Sequence, residues 1–473
     1  MQGNTGDVNE TALYTGDTLY FTISGQNNAA ATLGLYRQKA KYDYTWPQTR
    51  EIAQRYIKLI ANEGSAAEDG KLYSFYTEKN LSEDPETPLW IPRVSQYCMS
   101  DTGGRKNQLQ YRWTSMLTAR LFCGDKKRRV TFTELLDVAV LEAENWDNTM
   151  IYALFKNHYN ISAVCVYKMS TITRIFKSSI FRSPVEAPPP AAGECVTDKS
   201  SVFLKFMEKR PEMAEWIEPE RGPLLISQSQ YTHLQVDRVT SRNNVQHSVL
   251  LLTLGNGRIH KVVERDDGPF IIAEYQPFES ETRIHSMLLD RSTKKLYVSS
   301  SSELVQIDLQ DCSVYGKQCD CVLARDPYCG WSGTECSPAT EYSVQDVTNG
   351  DYAVCEAARD LGTSVTSESP LIVPPNSKYY LECPTSSLHA SYTWKHNGKT
   401  IDCVSTEEEC LLLIENMSEE DLGQYECIAS ENGQERTVAS YRLGNSASQL
   451  RVTPVTLACL LLLISLICFQ SLS

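Results

Sequence analysis

Ala324-Arg325-Asp326-Pro327-Tyr328-Cys329-Gly330-Trp331 sits at the centre of a run of six cysteines, Cys312, Cys319, Cys321, Cys329, Cys336 and Cys355. So short a module cannot bury enough apolar surface to fold on that alone, and it needs covalent cross-links. Cross-links of this kind persist only in an oxidising compartment, which places the chain outside the cell. Zinc is the competing reading of clustered cysteines. A zinc site would want paired CxxC knuckles or nearby histidines, whereas this stretch has Cys319-Asp320-Cys321 and no histidine.

The 473 residues suggest about three domains. A net charge of -14 argues against a phosphate-binding surface and so against a nucleic-acid partner. Lys126-Lys127-Arg128-Arg129 is the only dense basic cluster; it reads as a solvated loop tip, with protease cleavage or a polyanion contact as the functional alternatives. Of the 16 cysteines, Cys459 and Cys468 lie in an apolar tail; the remaining 14 allow seven bridges, six cysteines in the central run with four before and four after. Four N-x-S/T sequons, at Asn9, Asn80, Asn160 and Asn416, add to the extracellular reading and expect those side chains in solvent.

Through residues 1–308, short β-rich runs alternate with turn residues. Ser248-Val-Leu-Leu-Leu-Thr-Leu254 and Arg258-Ile-His-Lys-Val-Val263 flank Gly255-Asn256-Gly257 and predict a tight hairpin. Met287–Asp290, Lys295–Ser299 and Glu303–Asp308 continue the rhythm. Such spacing fits a sandwich, a barrel or a propeller. Pro184–Ala192 holds three consecutive prolines and reads as an exposed loop held by Cys195. The seven histidines show no metal-ligand spacing, and His260 falls in an alternating strand as a structural residue. There is no Gly-x-Ser-x-Gly elbow and no phosphate-binding glycine loop.

Beyond a polar linker, Tyr380-Leu-Glu-Cys383, then Trp394, then Asp421-Leu-Gly-Gln-Tyr425-Glu-Cys427 make the cysteine, tryptophan, cysteine pattern of an immunoglobulin domain. Cys383 would bridge to Cys427 with Trp394 packed on the bond, leaving Cys403 and Cys410 for a local bridge. The tail Val455–Phe469 is apolar for 15 residues and ends four residues later, shorter than the roughly 20 that span a bilayer. Preceded by the small residues Gly444-Asn445-Ser446-Ala447-Ser448, it has the layout of a GPI signal, with attachment at Asn445 or Ser446.

The cysteine spacing together with Arg325–Trp331 resembles the PSI module of semaphorins, plexins and integrins. Val94-Ser-Gln-Tyr-Cys98, Asp101-Thr-Gly-Gly104, Arg112-Trp-Thr-Ser115, Leu117–Leu121, Asn160-Ile-Ser-Ala-Val-Cys165-Val-Tyr167, Gly257–Val263 and Lys295–Ser300 resemble signature runs of the semaphorin domain, with details closest to class 7 of that family. The resemblance implies a mainly β chain. Residues 1–308 are then a partial seven-bladed semaphorin propeller with its first blades missing, 311–356 a PSI module, 369–443 an immunoglobulin-like sandwich and 446–473 a GPI-anchor signal. Met1–Asp7 has neither a basic start nor an apolar stretch, so a signal peptide is absent, and the chain reads as an N-terminally incomplete gene model or isoform. The implied bridges are Cys98–Cys195, Cys123–Cys165, Cys312–Cys329, Cys319–Cys355 and Cys321–Cys336, and the Cys403–Cys410 pair is shared with class 7.

The same resemblance implies a homodimeric ligand on the outer face of the plasma membrane, GPI-anchored, binding a class C plexin in axon guidance, cell migration and immune regulation. It implies no cofactor, no metal and no enzymatic activity. A plexin-like receptor fragment and an extracellular propeller enzyme are the alternatives. In class 7 an Arg-Gly-Asp triplet that engages beta-1 integrins follows the cysteine equivalent to Cys98. Here the triplet is Met99-Ser100-Asp101, so integrin binding is expected to be weakened, with only the Asp101 carboxylate left to reach an integrin-bound metal.

Overall fold

The computed structural model describes residues 10–25, 33–48, 52–64, 70–82, 87–182, 194–195, 200–209, 211–351, 354, 365–366, 371–385, 389–406, 409–431 and 434–444. The chain forms two units, one of Met1–Val314 with Asp326–Ser343 and one of Tyr315–Arg325 with Val344–Ser473.

Among the described residues, the first unit holds five antiparallel sheets of three or four strands in which each strand pairs with the next in sequence. The first sheet holds Ala12–Thr15, Thr18–Ile23, Gly34–Ala40 and Asp43–Thr45; the second holds Gln54–Asn62, Lys71–Lys79, Trp90–Cys98 and Leu117–Arg120. The third holds Glu134–Leu141, Met150–Lys156, Ser162–Lys168 and Leu225–Ser227; the fourth holds Tyr231–Thr240, Gln246–Leu254, Ile259–Val263 and Phe270–Tyr275. Ser286–Asp290, Lys295–Ser299 and Leu304–Asp308 make the fifth, with three strands.

Central strands such as Lys71–Lys79 and Ser162–Lys168 are buried on both faces rather than on alternate residues. A sheet packed on one side only would alternate. The reason is face-to-face packing with both neighbours. Tyr73, Phe75 and Val94 of the second sheet meet Val138, Ile151 and Phe155 of the third, and Leu154 and Val164 of the third meet Leu234, Val236 and Leu250 of the fourth. Of the three architectures that the strand spacing allows, this is the propeller, each sheet a blade.

The expected hairpin forms, with Gln246–Leu254 against Ile259–Val263. Gly257 turns it at a φ of 89°, and a Cβ there would stand 2.2 Å from the Thr282 carbonyl oxygen, so no other residue fits without a backbone shift. Between the third and fourth strands of the third sheet the chain inserts two helices, Met169–Ser178 and Ser201–Glu208. The first buries Met169, Ile172, Ile175 and Phe176 as one stripe, and the second is capped by the Ser200 hydroxyl, which accepts from the Phe203 N–H. The loop expected at Pro184–Ala192 lies outside the described residues.

In the second unit, a sheet ordered Val365–Thr366, Gln434–Gly444, Gly423–Glu431, Ser391–His396 and Lys399–Asp402 faces a smaller one of Tyr379–Leu381, Cys410–Ile414 and Val404–Ser405. Trp394, Cys383, Cys427, Leu412 and Tyr425 fill the space between them. The Tyr425 hydroxyl donates to the Asp421 carbonyl at 3.1 Å, closing the tyrosine corner. The cysteine-rich stretch is divided: Asp326–Ser343, with the hairpin Cys329–Trp331 against Cys336–Pro338, belongs to the first unit, and the helix Gln318–Leu323 to the second.

Candidate functional site

Five of the expected bridges have both cysteines among the described residues of one unit, and all five are closed. Their Cα–Cα distances are 5.5 Å for Cys98–Cys195, 5.8 Å for Cys123–Cys165, 5.6 Å for Cys312–Cys329, 6.2 Å for Cys383–Cys427 and 5.4 Å for Cys403–Cys410. Cys319, Cys321 and Cys336 are each disulfide-bonded. Cys355 lies outside the described residues, and the pairings Cys319–Cys355 and Cys321–Cys336 stand as proposals. Of the sequons, Asn160 and Asn416 are exposed, Asn160 at a φ of 60°. Asn80 is half-buried, and its amide already donates to the Pro88 carbonyl at 2.9 Å while accepting from the Ser82 N–H at 3.1 Å. Asn9, Asn445 and Ser446 lie outside the described residues.

The triplet after Cys98 departs from its expected role. Asp101 is 3% exposed, and its carboxylate accepts five hydrogen bonds. The donors are the N–H groups of Gly103, Thr114 and Ser115 and the hydroxyls of Thr114 and Ser115, at 2.7 to 3.0 Å. A carboxylate so used has no lone pair to offer an integrin-bound metal. Met99 is also partly buried, packed against the cluster of Tyr97 and Trp113. Asp101 is thus a structural anchor that ties the loop after the third strand of its sheet to Thr114-Ser115, and the expectation of a reachable carboxylate is corrected.

Two further buried polar networks hold the propeller. In the first, Arg93 lies between Glu78 at 3.1 Å and Glu212 at 3.2 Å, and Glu212 also takes Arg120 at 2.6 Å and Arg182 at 3.0 Å. Burial pushes the Glu212 carboxyl up, but Arg93, Arg120 and Arg182 outweigh it and hold the group below its usual range. Glu212 comes from the helical insertion, so this cluster fastens the insertion to the second sheet.

The second network explains the stretch around Tyr328. Lys261, from the third strand of the fourth sheet, is fully buried, and its ammonium donates to Asp326 Oδ2 at 2.6 Å and to the Leu309 carbonyl at 2.9 Å. The Tyr328 ring stands with its centroid 4.2 Å from the same ammonium. The Tyr328 hydroxyl donates to Asp237 Oδ2 at 2.7 Å, which Lys294 also reaches at 2.9 Å. Desolvation pulls Lys261 below the usual lysine range, with Asp326 opposing, and pushes the Tyr328 phenol far up. Two lysines thus meet two aspartates, and the ring of Tyr328 fills the space between the pairs.

His260 sits in a third buried cluster, with Nδ1 2.7 Å from the Tyr231 hydroxyl and Nε2 2.8 Å from Glu274. At 6% exposure it has no route to a substrate. Among the described residues no group of three His, Cys, Asp or Glu is placed to hold a metal ion. A cleft of about 480 Å³ lies between Met150 and Val166 on one side and Glu264 and Asp267 on the other. Its charges are matched locally, Arg265 with Asp267 at 2.8 Å and Arg221 with Asp266 at 3.5 Å, and Glu264 accepts from the Tyr152 hydroxyl at 2.8 Å. Apart from Arg265 with Asp267, two residues on, these partners could not be read from sequence, because each joins segments well separated in the chain; the lone lysine in the buried strand Ile259–Val263 was the signal available.

Comparison with known proteins gives this arrangement its setting. The Sema domain family matches residues 135–291, and the semaphorin-3/4/7A immunoglobulin-like domain family matches residues 367–455. Human Semaphorin-7A is 33% identical over 92% of this chain and 68% of its own length, and human Semaphorin-4B is 31% identical over 91% of this chain and 56% of its own. Among solved structures, Drosophila Semaphorin 2a superposes with a TM-score of 0.71 at 21% identity, covering 93% of this chain and 76% of that one. A chain from Drosophila Plexin A in complex with Semaphorin 1b gives a TM-score of 0.61 at 22% identity, covering 74% of this chain and 76% of that one. With the blades, the immunoglobulin-like sandwich and the identity to Semaphorin-7A all in agreement, the chain belongs to the semaphorin family.

Proposed function

We propose that the chain is a cell-surface semaphorin ligand that binds a plexin of class C through its propeller and acts in axon guidance, cell migration and immune regulation. The observation that carries this reading is the 33% identity to human Semaphorin-7A over 92% of the chain. A solved relative of similar fold comes from a complex of Semaphorin 1b with Plexin A, which fits the same mode of action. As a homodimer the ligand would bring two receptors together and gain avidity. The buried, mutually matched polar groups suit a rigid binding surface. No observation favours the receptor-fragment or the enzyme reading over it. Asp101 has no part in the proposal, since its carboxylate is consumed within the fold.

The test is saturable binding of the full-length ectodomain to cells expressing each plexin class. Binding to class C and not to mock-transfected cells is the expected result. No binding to any plexin would refute the ligand reading, and binding to another class alone would refute the class assignment. Anchoring through Asn445 or Ser446 predicts release of the protein from cells by phosphatidylinositol-specific phospholipase C. Retention after that treatment would refute it.

A further inference from the structure

The basic run Lys126-Lys127-Arg128-Arg129 has no part in the function proposed above. It occupies the tip of a small hairpin in which Gly124–Asp125 pairs with Val130–Thr131, two residues on each side. All four basic side chains are exposed. The Asp125 carboxylate shapes the turn by accepting from the N–H groups of Lys127 at 2.8 Å and Arg128 at 3.1 Å, and Arg129 closes it at a φ of 55°. The charges have only weak partners. Lys126 meets Glu218 at 2.6 Å with both side chains more than half exposed, and Arg128 lies 3.7 Å from Asp125.

The hairpin joins the core at Cys123 and Phe132, 2% and 1% exposed, and of the residues between them Gly124 is buried and Val130 packs partly against the core. A two-stranded ribbon this short is not stable by itself in water, so the tip opens without disturbing either sheet beside it. Exposed loop tips of this kind are where proteases cut. The tip also lies between the second sheet, which ends at Arg120, and the third, which begins at Glu134. Two bridges straddle it, Cys98–Cys195 and Cys123–Cys165.

We propose that this tip is a processing site for an extracellular or secretory-pathway serine endoprotease selective for clustered basic residues, with the cut after Arg129. In the net reaction water's oxygen bonds to the Arg129 carbonyl carbon, the bond to the Val130 nitrogen breaks, and that nitrogen takes both of the water's protons. The products are a carboxylate on Arg129 and an ammonium on Val130. The nicked protein stays in one piece, because both bridges join the part before the cut to the part after it. Other basic pairs fit less well. Lys209-Arg210 is followed by Pro211, and Arg105-Lys106 and Lys294-Lys295 have no basic residue at the two positions before them.

The experiment treats the full folded chain with a subtilisin-type endoprotease selective for basic runs and follows it by mass spectrometry and by gels with and without reductant. The expected result is a first cut between Arg129 and Val130, with unchanged migration until reductant separates two fragments. Arg128→Gln with Arg129→Gln should slow that cut at least tenfold while leaving the thermal transition in place, since both side chains are exposed. A first cut elsewhere overturns the proposal. So does a folded chain that resists while the reduced, denatured chain is cut at the same bond. Retention on a heparin column that the double variant abolishes, without cleavage of the parent, would assign the tip to a polyanion instead and would equally overturn it.

Discussion

Replacing Asp326 by Asn removes one charge from the Lys261 network and almost no volume. Lys261 would keep the Leu309 carbonyl at 2.9 Å and the Tyr328 ring at 4.2 Å but lose its counter-charge. Leaving a buried charge without its partner costs about 3 to 5 kcal/mol. The ammonium can also escape by losing its proton, which from an unfolded value near 10.4 costs about 4.6 kcal/mol at pH 7 and about 1.9 kcal/mol at pH 9. Proton loss therefore caps the damage, and the cap falls as pH rises. The sign follows from proton uptake. With the folded pKa depressed, the unfolded state binds more protons, so stability of the variant rises with pH until the unfolded value is passed.

The assay is thermal and urea denaturation of the first unit's transition in parent and variant at pH 7 and pH 9. The expected loss is about 4 kcal/mol at pH 7, or roughly 10 °C for a unit of this size, shrinking to about 2 kcal/mol at pH 9. Lys261→Met added to Asp326→Asn leaves no buried charge at that end and should recover most of the loss. An equal loss at both pH values, or a double variant no better than the single one, would refute the account of Lys261 as a buried cation held by Asp326.

Restoring an Arg-Gly-Asp triplet by Met99→Arg with Ser100→Gly should not produce spreading that an RGD peptide inhibits, because Asp101 stays turned inward; inhibitable spreading on that variant would mean the loop after Cys98 opens. Asp101→Ala, measured by denaturation, should cost about 3 kcal/mol by orphaning several buried donors at once. Glu212→Gln should cost about 2 kcal/mol at pH 7 by leaving Arg93, Arg120 and Arg182 short of a counter-charge. Its folded pKa is depressed, so its contribution is complete above about pH 4.3 and fades as pH falls through the lower folded value; acid titration of stability should be shallower in the Gln variant. In the second unit, removing Cys383–Cys427 should cost about 4 kcal/mol and removing Cys403–Cys410 about 2.5 kcal/mol, following the logarithm of the loop each closes, and paired Cys→Ala variants compared by melting would test the order.

What the sequence made legible was whatever is local or covalent. The Trp394 position and the hairpin at Gly257 are read from neighbours in the chain, and the fold places them as read; of the bridges that the resemblance implies, five are closed among the described residues. The roughly ten-residue rhythm of strands and turns could not separate a propeller from a sandwich, since both are built from short strands at that spacing. The helix Met169–Ser178 carried a usable signal in Met169, Ile172, Ile175 and Phe176, an apolar stripe at helical spacing that the strand-rich surroundings obscured. The Asp101 role was misread because a carboxylate beside Met99-Ser100 was judged by the motif it replaces. Four of its five donors are on Thr114 and Ser115, 13 and 14 residues further on. Lys261 and Asp326 stand 65 residues apart, and a pair at that distance is a property of the folded chain alone.

Trp394 also makes the immunoglobulin-like unit optically legible. It is fully buried, lies opposite Cys427 in the strand ladder and donates its indole N–H to the Cys410 carbonyl at 3.2 Å. Directly opposed residues of an antiparallel pair hold their side chains on the same face and close together. A disulfide in contact with an excited indole accepts an electron from it and returns it dark. Folded, this tryptophan should emit little; unfolding the unit, or reducing Cys383–Cys427, should switch its emission on and so report the state of that one bond inside the intact protein.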